Sequence, residues 1–219
     1  HKPSEKIIKE IIEKSKGTIS MITLAPEVIK KELMEKLLNE GIILSAGHSE
    51  CDYKLANKLF GKIIFTSTHL FNAMPNIHHR ELNLTSAILL NQNVYSSIIV
   101  DGYHVDFEVI KMAHKLKKDK LFCITDAVTE TNKGPYKHTK SGSFYSNNGE
   151  LSGSSTTMPK SFKNLIEKVG LSVQESIDMC SNIPREVING FVSDIKLKKG
   201  NFARFNILDY KYNLVKSVF

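Results

Sequence analysis

Five short apolar segments alternate with amphipathic segments along the first 125 residues, and this alternation restricts the fold more than any other feature of the chain. The segments between them carry apolar residues at helical spacing, as Ile29, Leu33 and Leu37 do. Strands that alternate with helices form parallel βα units. We therefore predict strands at residues 18–24, 42–46, 63–67, 94–100 and 121–125, separated by helices at residues 30–39, 52–60, 85–90 and 106–116.

The two ends of the chain follow other patterns. Ser4 is a good N-cap for a first helix, which Gly17 should end. After residue 125, a stretch rich in Ser, Gly and Asn (139–153) predicts a loop that can include a small hairpin. We expect helices at 157–169 and 172–180, then strands at 205–208 and 214–219. These last strands suggest a boundary between a main domain (1–195) and a small β-structure (196–219).

Two α/β architectures fit this order of elements, an open doubly wound sheet and a barrel. No glycine-rich dinucleotide or phosphate-loop fingerprint follows any of the predicted strands. This absence weakens the case for a nucleotide-binding doubly wound fold, and a barrel or part of one remains.

Composition excludes some classes of function. The net charge is +7, but the lysines are scattered and no basic stripe is interleaved with aromatic residues, so nucleic-acid binding is disfavoured. No apolar run approaches the roughly 20 residues of a membrane span. The three widely spaced cysteines fit reduced thiols in a cytosolic protein. Because the sequence starts at His1 without a secretory leader, we expect a soluble chain from which earlier residues are absent.

Polar side chains follow four of the five predicted strands. His48, His69, His104 and Asp126 each stand just beyond a strand end, and the C-terminal strand ends of a parallel barrel share one rim where active sites are built. Alone, each histidine could be an ordinary hydrogen-bonded residue and Asp126 a cap. Together they indicate a metal site or an acid–base site.

Metal-assisted hydrolysis is the chemistry that suits such a set. Neutral imidazoles bind zinc, the ion lowers the pKa of a bound water, and a nearby carboxylate can move the proton to a leaving nitrogen. A catalytic zinc site has three protein ligands. Two histidine ligands are therefore too few, and we expect a further ligand from outside this sequence.

Six short motifs follow the predicted strands and the loop after them. The most specific is the His-Leu-Phe-Asn-Ala-Met stretch that begins at His69. The others are Thr-Leu-Ala-Pro-Glu (23–27), Ala-Gly-His-Ser (46–49), Asp-Gly-Tyr-His-Val-Asp (101–106), Thr-Asp-Ala (125–127) and Leu-Ser-Gly-Ser-Ser (151–155). In this order they resemble the motifs of the N-acetylglucosamine-6-phosphate deacetylases, and the resemblance covers essentially the whole chain.

The resemblance implies a fold and an activity. The family fold is a (β/α)₈ barrel of the metal-dependent amidohydrolase kind with a small β-sandwich, and the five strands here would be the last five of the eight. The implied reaction is hydrolysis of N-acetylglucosamine 6-phosphate to glucosamine 6-phosphate and acetate in amino-sugar catabolism. The resemblance also implies a divalent metal as cofactor, zinc or another ion such as iron. The expected protein is a cytoplasmic homodimer that binds neither nucleic acid nor membranes.

The resemblance also assigns residue roles. His48 and His69 would bind the metal, and Asp126 would be the catalytic acid and base. Arg80 resembles an arginine that reaches the substrate phosphate, often across a dimer interface. The other implied substrate-binding residues are Asn72, Ala73, His104, Leu151, Ser152, Gly153 and His1.

The chain departs from the family in three places. The family's metal-binding Glu lies about a dozen residues before the position of His1, Arg-Glu-Pro-Gly is replaced by Arg-Glu-Leu-Asn at 80–83, and the segment between Ala127 and Leu151 is shorter and more polar. Two rival functions stay open. One is a deacetylase for another N-acetyl amino-sugar phosphate, and the other is a non-catalytic binding or assembly protein with a relic site.

Overall fold

The chain forms two compact units, and each unit is made of two separate parts of the chain. The computed structural model describes residues 3–134, 136–189, 199–200 and 202–218. The first unit comprises His1–Ile98 and Met112–Phe122, and the second comprises Ile99–Lys111 and Cys123–Phe219. Among the described residues, no helix is both long enough and apolar enough to cross a membrane.

A five-stranded parallel sheet is the central element and confirms the predicted βα architecture. Its strands lie in sequence order, and the first two pair in register from Met21 opposite Ile43 to Leu24 opposite Ala46. A parallel neighbour requires a crossover, which the intervening helices supply. The strands are β1 (Met21–Leu24), β2 (Ile43–Ala46), β3 (Thr66–Ser67), β4 (Tyr95–Ile99) and β5 (Leu121–Ile124).

Five helices accompany these strands, close to their predicted positions. Side-chain caps fix where three of them begin: Ser4 accepts from the Ile7 N–H at 3.3 Å, Asp52 from the Leu55 N–H at 2.8 Å, and Asn83 from the Ser86 N–H at 3.2 Å. The apolar faces are buried, and Leu37 is 1% exposed. The helices are α1 (Glu5–Ser15), α2 (Lys31–Asn39), α3 (Tyr53–Leu59), α4 (Leu84–Leu90) and α5 (Phe107–Lys117).

The third strand is shorter than predicted. We expected residues 63–67, but only Thr66 and Ser67 pair with their neighbours. Gly61, at φ 73°, turns the chain so that its N–H donates to the Ile64 carbonyl at 3.0 Å. Ile63 and Ile64 are therefore buried by a turn rather than by strand pairing, which the apolar pattern could not distinguish.

The segment 139–153, expected to be a loop with a small hairpin, forms a three-stranded antiparallel sheet, so a hairpin is present and one further strand pairs with it. Gly142 (φ 64°) and the pair Asn148 (φ 52°) and Gly149 (φ 89°) adopt the left-handed conformations of its two turns. The Ser, Gly and Asn content marked these turns, and the strands between them are exposed or half-buried over most of their length and carry few apolar residues. The strands are β6 (Thr139–Ser141), β7 (Phe144–Asn147) and β8 (Glu150–Ser154).

The rest of the second unit is helical and then antiparallel. The predicted helices are interrupted by π-helical turns at Leu165–Val169 and Asp178–Asn182, which separate α6 (Met158–Asn164), α7 (Val173–Ile177) and α8 (Ile183–Asn189). The predicted terminal strands are confirmed as the antiparallel pair β9 (Phe205–Leu208) and β10 (Leu214–Val218). The predicted domain boundary after residue 195 lies outside the described residues.

Candidate active site

Two histidines of the first unit face each other beyond neighbouring strands. The Nε2 atoms of His48 and His69 are 2.9 Å apart, and their rings meet edge to face with centroids separated by 4.7 Å. His48 follows β2 at φ 48° and His69 follows β3 at φ 36°, both in the left-handed region. Such backbone conformations are costly for residues other than glycine and concentrate at functional sites.

The residue before His48 has to be glycine because of what surrounds it. A Cβ on Gly47 would lie 2.9 Å from Thr23 Cγ2 and 2.9 Å from Thr68 Cβ. The Thr68 hydroxyl is itself held, since it lies 2.8 Å from the Thr23 hydroxyl and 2.6 Å from the Ser45 hydroxyl. A layer of small hydroxyl side chains thus fixes the path of the chain into His48.

The imidazole of His69 is oriented by the backbone around it. The backbone N–H of His69 donates to Ser97 Oγ at 2.8 Å. The ring atom Nδ1 of His69 lies 3.1 Å from the Asn72 carbonyl oxygen. A carbonyl can only accept, so Nδ1 carries the ring hydrogen and Nε2 is the nitrogen with a lone pair in the neutral ring. This is the usual arrangement of a histidine that binds a metal.

A carboxylate braces the loop that carries His48. Glu27, just after β1, accepts from the Ser49 hydroxyl at 2.6 Å and from the Glu50 N–H at 2.7 Å. The Ser49 N–H also donates to the Ala73 carbonyl at 3.1 Å, which ties the loops after β2 and β3 together. Sequence reasoning assigned Glu27 no role, and its two signals were its place after a predicted strand and its place in the Thr-Leu-Ala-Pro-Glu motif.

The two imidazoles fit part of a metal site. Zinc–nitrogen bonds of about 2.0–2.1 Å at a tetrahedral centre put two ligand nitrogens roughly 3.3 Å apart, close to the 2.9 Å between His48 and His69. Among the described residues, no group of three or more His, Cys, Asp or Glu side chains could hold an ion. Within the described residues, His48 and His69 could therefore supply two nitrogen ligands.

The candidate substrate-binding residues of the first unit share the loop after β3. Ala73 (φ 50°) and its neighbour Phe71 (φ 76°) are left-handed, and the Asn72 amide donates to the Leu70 carbonyl at 3.3 Å. Arg80, further along this loop, has an exposed side chain. The loop ends where Asn83 caps α4.

In the second unit, the chain after β5 pairs with the end of β8. The Ser154 N–H donates to the Asp126 carbonyl at 2.9 Å, and the Val128 N–H donates to the Ser154 carbonyl at 3.1 Å. A Cβ on Gly153 would lie 2.8 Å from Val128, so glycine is required for this approach. The structure thereby brings Asp126, at φ 48°, close to the candidate segment Leu151–Ser152–Gly153.

His104, also in the second unit, forms a buried pair with Asp101. Its Nδ1 lies 2.7 Å from Asp101 Oδ2, and the two side chains are only 5% and 2% exposed. Burial opposes ionisation of Asp101, but hydrogen bonds from the His104 ring and from the N–H groups of His104 and Tyr103 outweigh it, so the pKa of Asp101 is below its usual value. The sequence motif contained Asp101, but only the contact reveals its partner. His1 lies outside the described residues.

The comparisons with known proteins agree with one another. No protein-family model matches the chain. The N-acetylglucosamine-6-phosphate deacetylase of Haemophilus influenzae is 30% identical over 222 residues, which cover 96% of this chain and 58% of that protein. Crystal structures of N-acetylglucosamine-6-phosphate deacetylases from Pasteurella multocida and Thermotoga maritima match with TM-scores of 0.90 and 0.86, each at 28% identity.

The structural matches extend over the chain from end to end. They cover 100% and 99% of this chain, and 59% and 61% of the two solved structures. The chain thus spans less than two thirds of the proteins it matches. In sequence and in fold, it is similar to about three fifths of an N-acetylglucosamine-6-phosphate deacetylase.

Proposed function

We propose that the protein hydrolyses the acetamide of N-acetylglucosamine 6-phosphate to give glucosamine 6-phosphate and acetate. The observation that carries the proposal is the facing pair His48 and His69, in a chain 30% identical to a deacetylase of this name. The five parallel strands would belong to a (β/α)₈ barrel, and β9 and β10 to a small β-sandwich. A cytoplasmic homodimer is part of the same proposal.

His48 and His69 would hold a divalent metal through their Nε2 atoms. The orientation of His69 by the Asn72 carbonyl and the short separation of the two nitrogens support this role. Zinc suits imidazole ligands, and iron or another divalent ion is an alternative. When bound, such an ion supplies Lewis acidity that lowers the pKa of water toward neutrality.

Asp126 would move the proton of the reaction. Its carboxylate would accept a proton from the attacking water and pass it to the amine as the amide bond breaks. Leu151, Ser152 and Gly153 would line the sugar pocket, with His104 and His1 as further substrate-binding residues. Asn72, Ala73 and Arg80 would bind the phosphate end, and a guanidinium suits phosphate oxygens because it can donate two parallel hydrogen bonds.

Acetate release from the natural gene product, loaded with zinc, tests the proposal. We expect turnover of N-acetylglucosamine 6-phosphate, loss of it with a chelator, and much weaker turnover of unphosphorylated N-acetylglucosamine. A preference for N-acetylmannosamine 6-phosphate in direct competition would instead favour the rival epimer. No acetate from any of these sugars, with metal bound, would contradict a deacetylase function.

The Asp126→Asn variant tests the proton-transfer step. The amide keeps the shape of the side chain but cannot act as a base, and positioned proton transfer is typically worth about 10²–10⁴-fold in rate. We expect metal content equal to that of the unmodified protein and a fall in kcat of that order. Near-normal kcat with bound metal would remove Asp126 from the mechanism.

A further inference from the structure

The two carboxylate oxygens of Asp101 make separate contacts. Oδ1 accepts hydrogen bonds from the N–H groups of Tyr103 and His104, both at 2.9 Å. Oδ2 lies 2.7 Å from Nδ1 of the His104 ring. One oxygen therefore shapes the turn after β4, while the other holds the imidazole that the turn carries.

The surrounding loop leaves this pair little freedom. Gly102 is left-handed at φ 79°, and a Cβ there would lie 2.7 Å from two ring carbons of Phe107. The Asn164 amide donates to the Val100 carbonyl at 3.0 Å, which fixes the start of the loop. Because the His104 side chain is only 5% exposed, its ring cannot turn over freely in the folded protein.

The contact between Asp101 Oδ2 and His104 Nδ1 determines which nitrogen of the His104 ring carries the hydrogen. An ionised carboxylate only accepts, so His104 must donate through Nδ1, and Nε2 of the neutral ring then has a lone pair. Within the part of the chain that the structure describes, His104 Nε2 forms no hydrogen bond. The nitrogen is thus available to accept one from a bound molecule.

We propose that Asp101 is a positioning residue that makes His104 an acceptor for a hydroxyl or N–H group of the sugar substrate. The inference rests on the proposed function, because it assigns a chemical preference to a residue of that substrate site. It implies that His104 binds a donor group of the sugar and not an oxygen of its phosphate.

The Asp101→Asn variant reverses the polarity of the contact and leaves its shape. The asparagine oxygen still accepts from the Tyr103 and His104 N–H groups, whereas its NH₂ group now donates to Nδ1 of His104. The ring hydrogen must then move to Nε2, which becomes a donor. Asp106→Asn is the matched control, since it removes the same charge from the same loop. Among the described residues, the Asp106 carboxylate accepts from the Glu108 N–H and its carbonyl from the Ile110 N–H, both near the start of α5.

The test combines ¹⁵N imidazole spectra of the neutral His104 ring with the kinetics of acetate release. We expect the Nδ1–H tautomer in the unmodified protein and in Asp106→Asn, and the Nε2–H tautomer in Asp101→Asn. The kcat/KM of Asp101→Asn should fall about 10- to 100-fold, as loss of one oriented hydrogen bond implies, while that of Asp106→Asn stays within about twofold of the unmodified value.

Two results overturn the inference. One is an Nε2–H tautomer in the unmodified protein, which can be measured even if Asp101→Asn does not fold. The other is a switched tautomer with unchanged kcat/KM. A protein that binds metal but releases no acetate contradicts the proposed function instead, and the tautomer of the unmodified protein then decides whether Asp101 orients His104.

Discussion

Left-handed backbone conformations occur at four of the candidate residues. His48, His69, Ala73 and Asp126 all have positive φ angles, at a cost of about 1–3 kcal/mol each. The identities of these residues and their places after strands could be predicted from the sequence. Their backbone conformations could not, because they depend on neighbours distant in the chain, such as the Thr23 and Thr68 side chains that enclose Gly47.

At the residue scale, we predict that Glu27→Ala weakens zinc binding. The substitution removes both acceptors that hold Ser49 and Glu50, so the loop carrying His48 loses its brace. Loss of such a supporting contact typically lowers metal affinity about 10- to 100-fold. Competition with a chromophoric chelator measures the change.

Glu32→Ala is the matched control. Glu32 is an exposed carboxylate on α2, so its substitution removes the same charge as Glu27→Ala. Its zinc affinity should equal that of the unmodified protein. Equal losses in the two variants would mean that net charge, not the brace on His48, sets the affinity.

Elements whose ends carry caps were predictable, whereas those shaped by turns were not. Ser4 and Asp52 fixed helix starts because a cap is a local interaction between neighbours in sequence. Only two residues of the predicted strand at 63–67 form a strand, and the segment predicted as a loop with a small hairpin (139–153) forms a three-stranded sheet. Apolar content and glycine content do not report strand pairing. Pairing depends on contacts that span many residues.

A buried lysine joins two elements of the first unit. Lys117, at the end of α5, is fully buried, and its Nζ donates to the carbonyls of Ile88 at 2.9 Å, Asn91 at 2.5 Å and Val94 at 2.7 Å. These carbonyls lie at the end of α4 and just before β4. The ammonium therefore satisfies acceptors at a helix end that would otherwise be buried without partners.

At the element scale, we predict that Lys117→Met lowers the free energy of unfolding by about 2–5 kcal/mol, since it leaves buried carbonyls unpaired. Urea unfolding followed by circular dichroism measures it. Lys115→Met, an exposed lysine on the same helix, is the control and should change stability by less than about 0.5 kcal/mol. A loss no larger than that of the control would mean that the three contacts contribute little.

The same variant has a defined pH signature. Burial lowers the pKa of Lys117 from 10.5 to about 8. The unfolded chain then binds more protons between these values, so this group makes the unfolding free energy rise with pH across roughly pH 8–10.5. The difference in unfolding free energy between the unmodified protein and Lys117→Met should therefore grow as the pH rises over that range. A difference in unfolding free energy that does not depend on pH would contradict the lowered pKa.

At the scale of the whole molecule, the order of elements and the sequence motifs led to the same family resemblance as the comparisons. Alternating apolar and amphipathic segments predicted parallel βα units, and the sheet order from β1 to β5 confirms them. The resemblance predicts a third metal ligand, the family's Glu, before the position of His1, and the described residues include no group of three or more possible ligand side chains. The chain matches 58% of the Haemophilus influenzae protein, so its length did not reveal the extent of the fold.

Zinc titration of the ¹⁵N-histidine-labelled protein tests the central claim most directly. The chain has eight histidines, and we predict that one equivalent of zinc shifts the Nε2 resonances of His48 and His69 together and leaves the other six in place. His48→Gln and His69→Gln should each abolish the paired shift. Zinc that binds at other histidines, or that binds equally well without His48 and His69, would contradict the metal site and the hydrolytic function proposed from it.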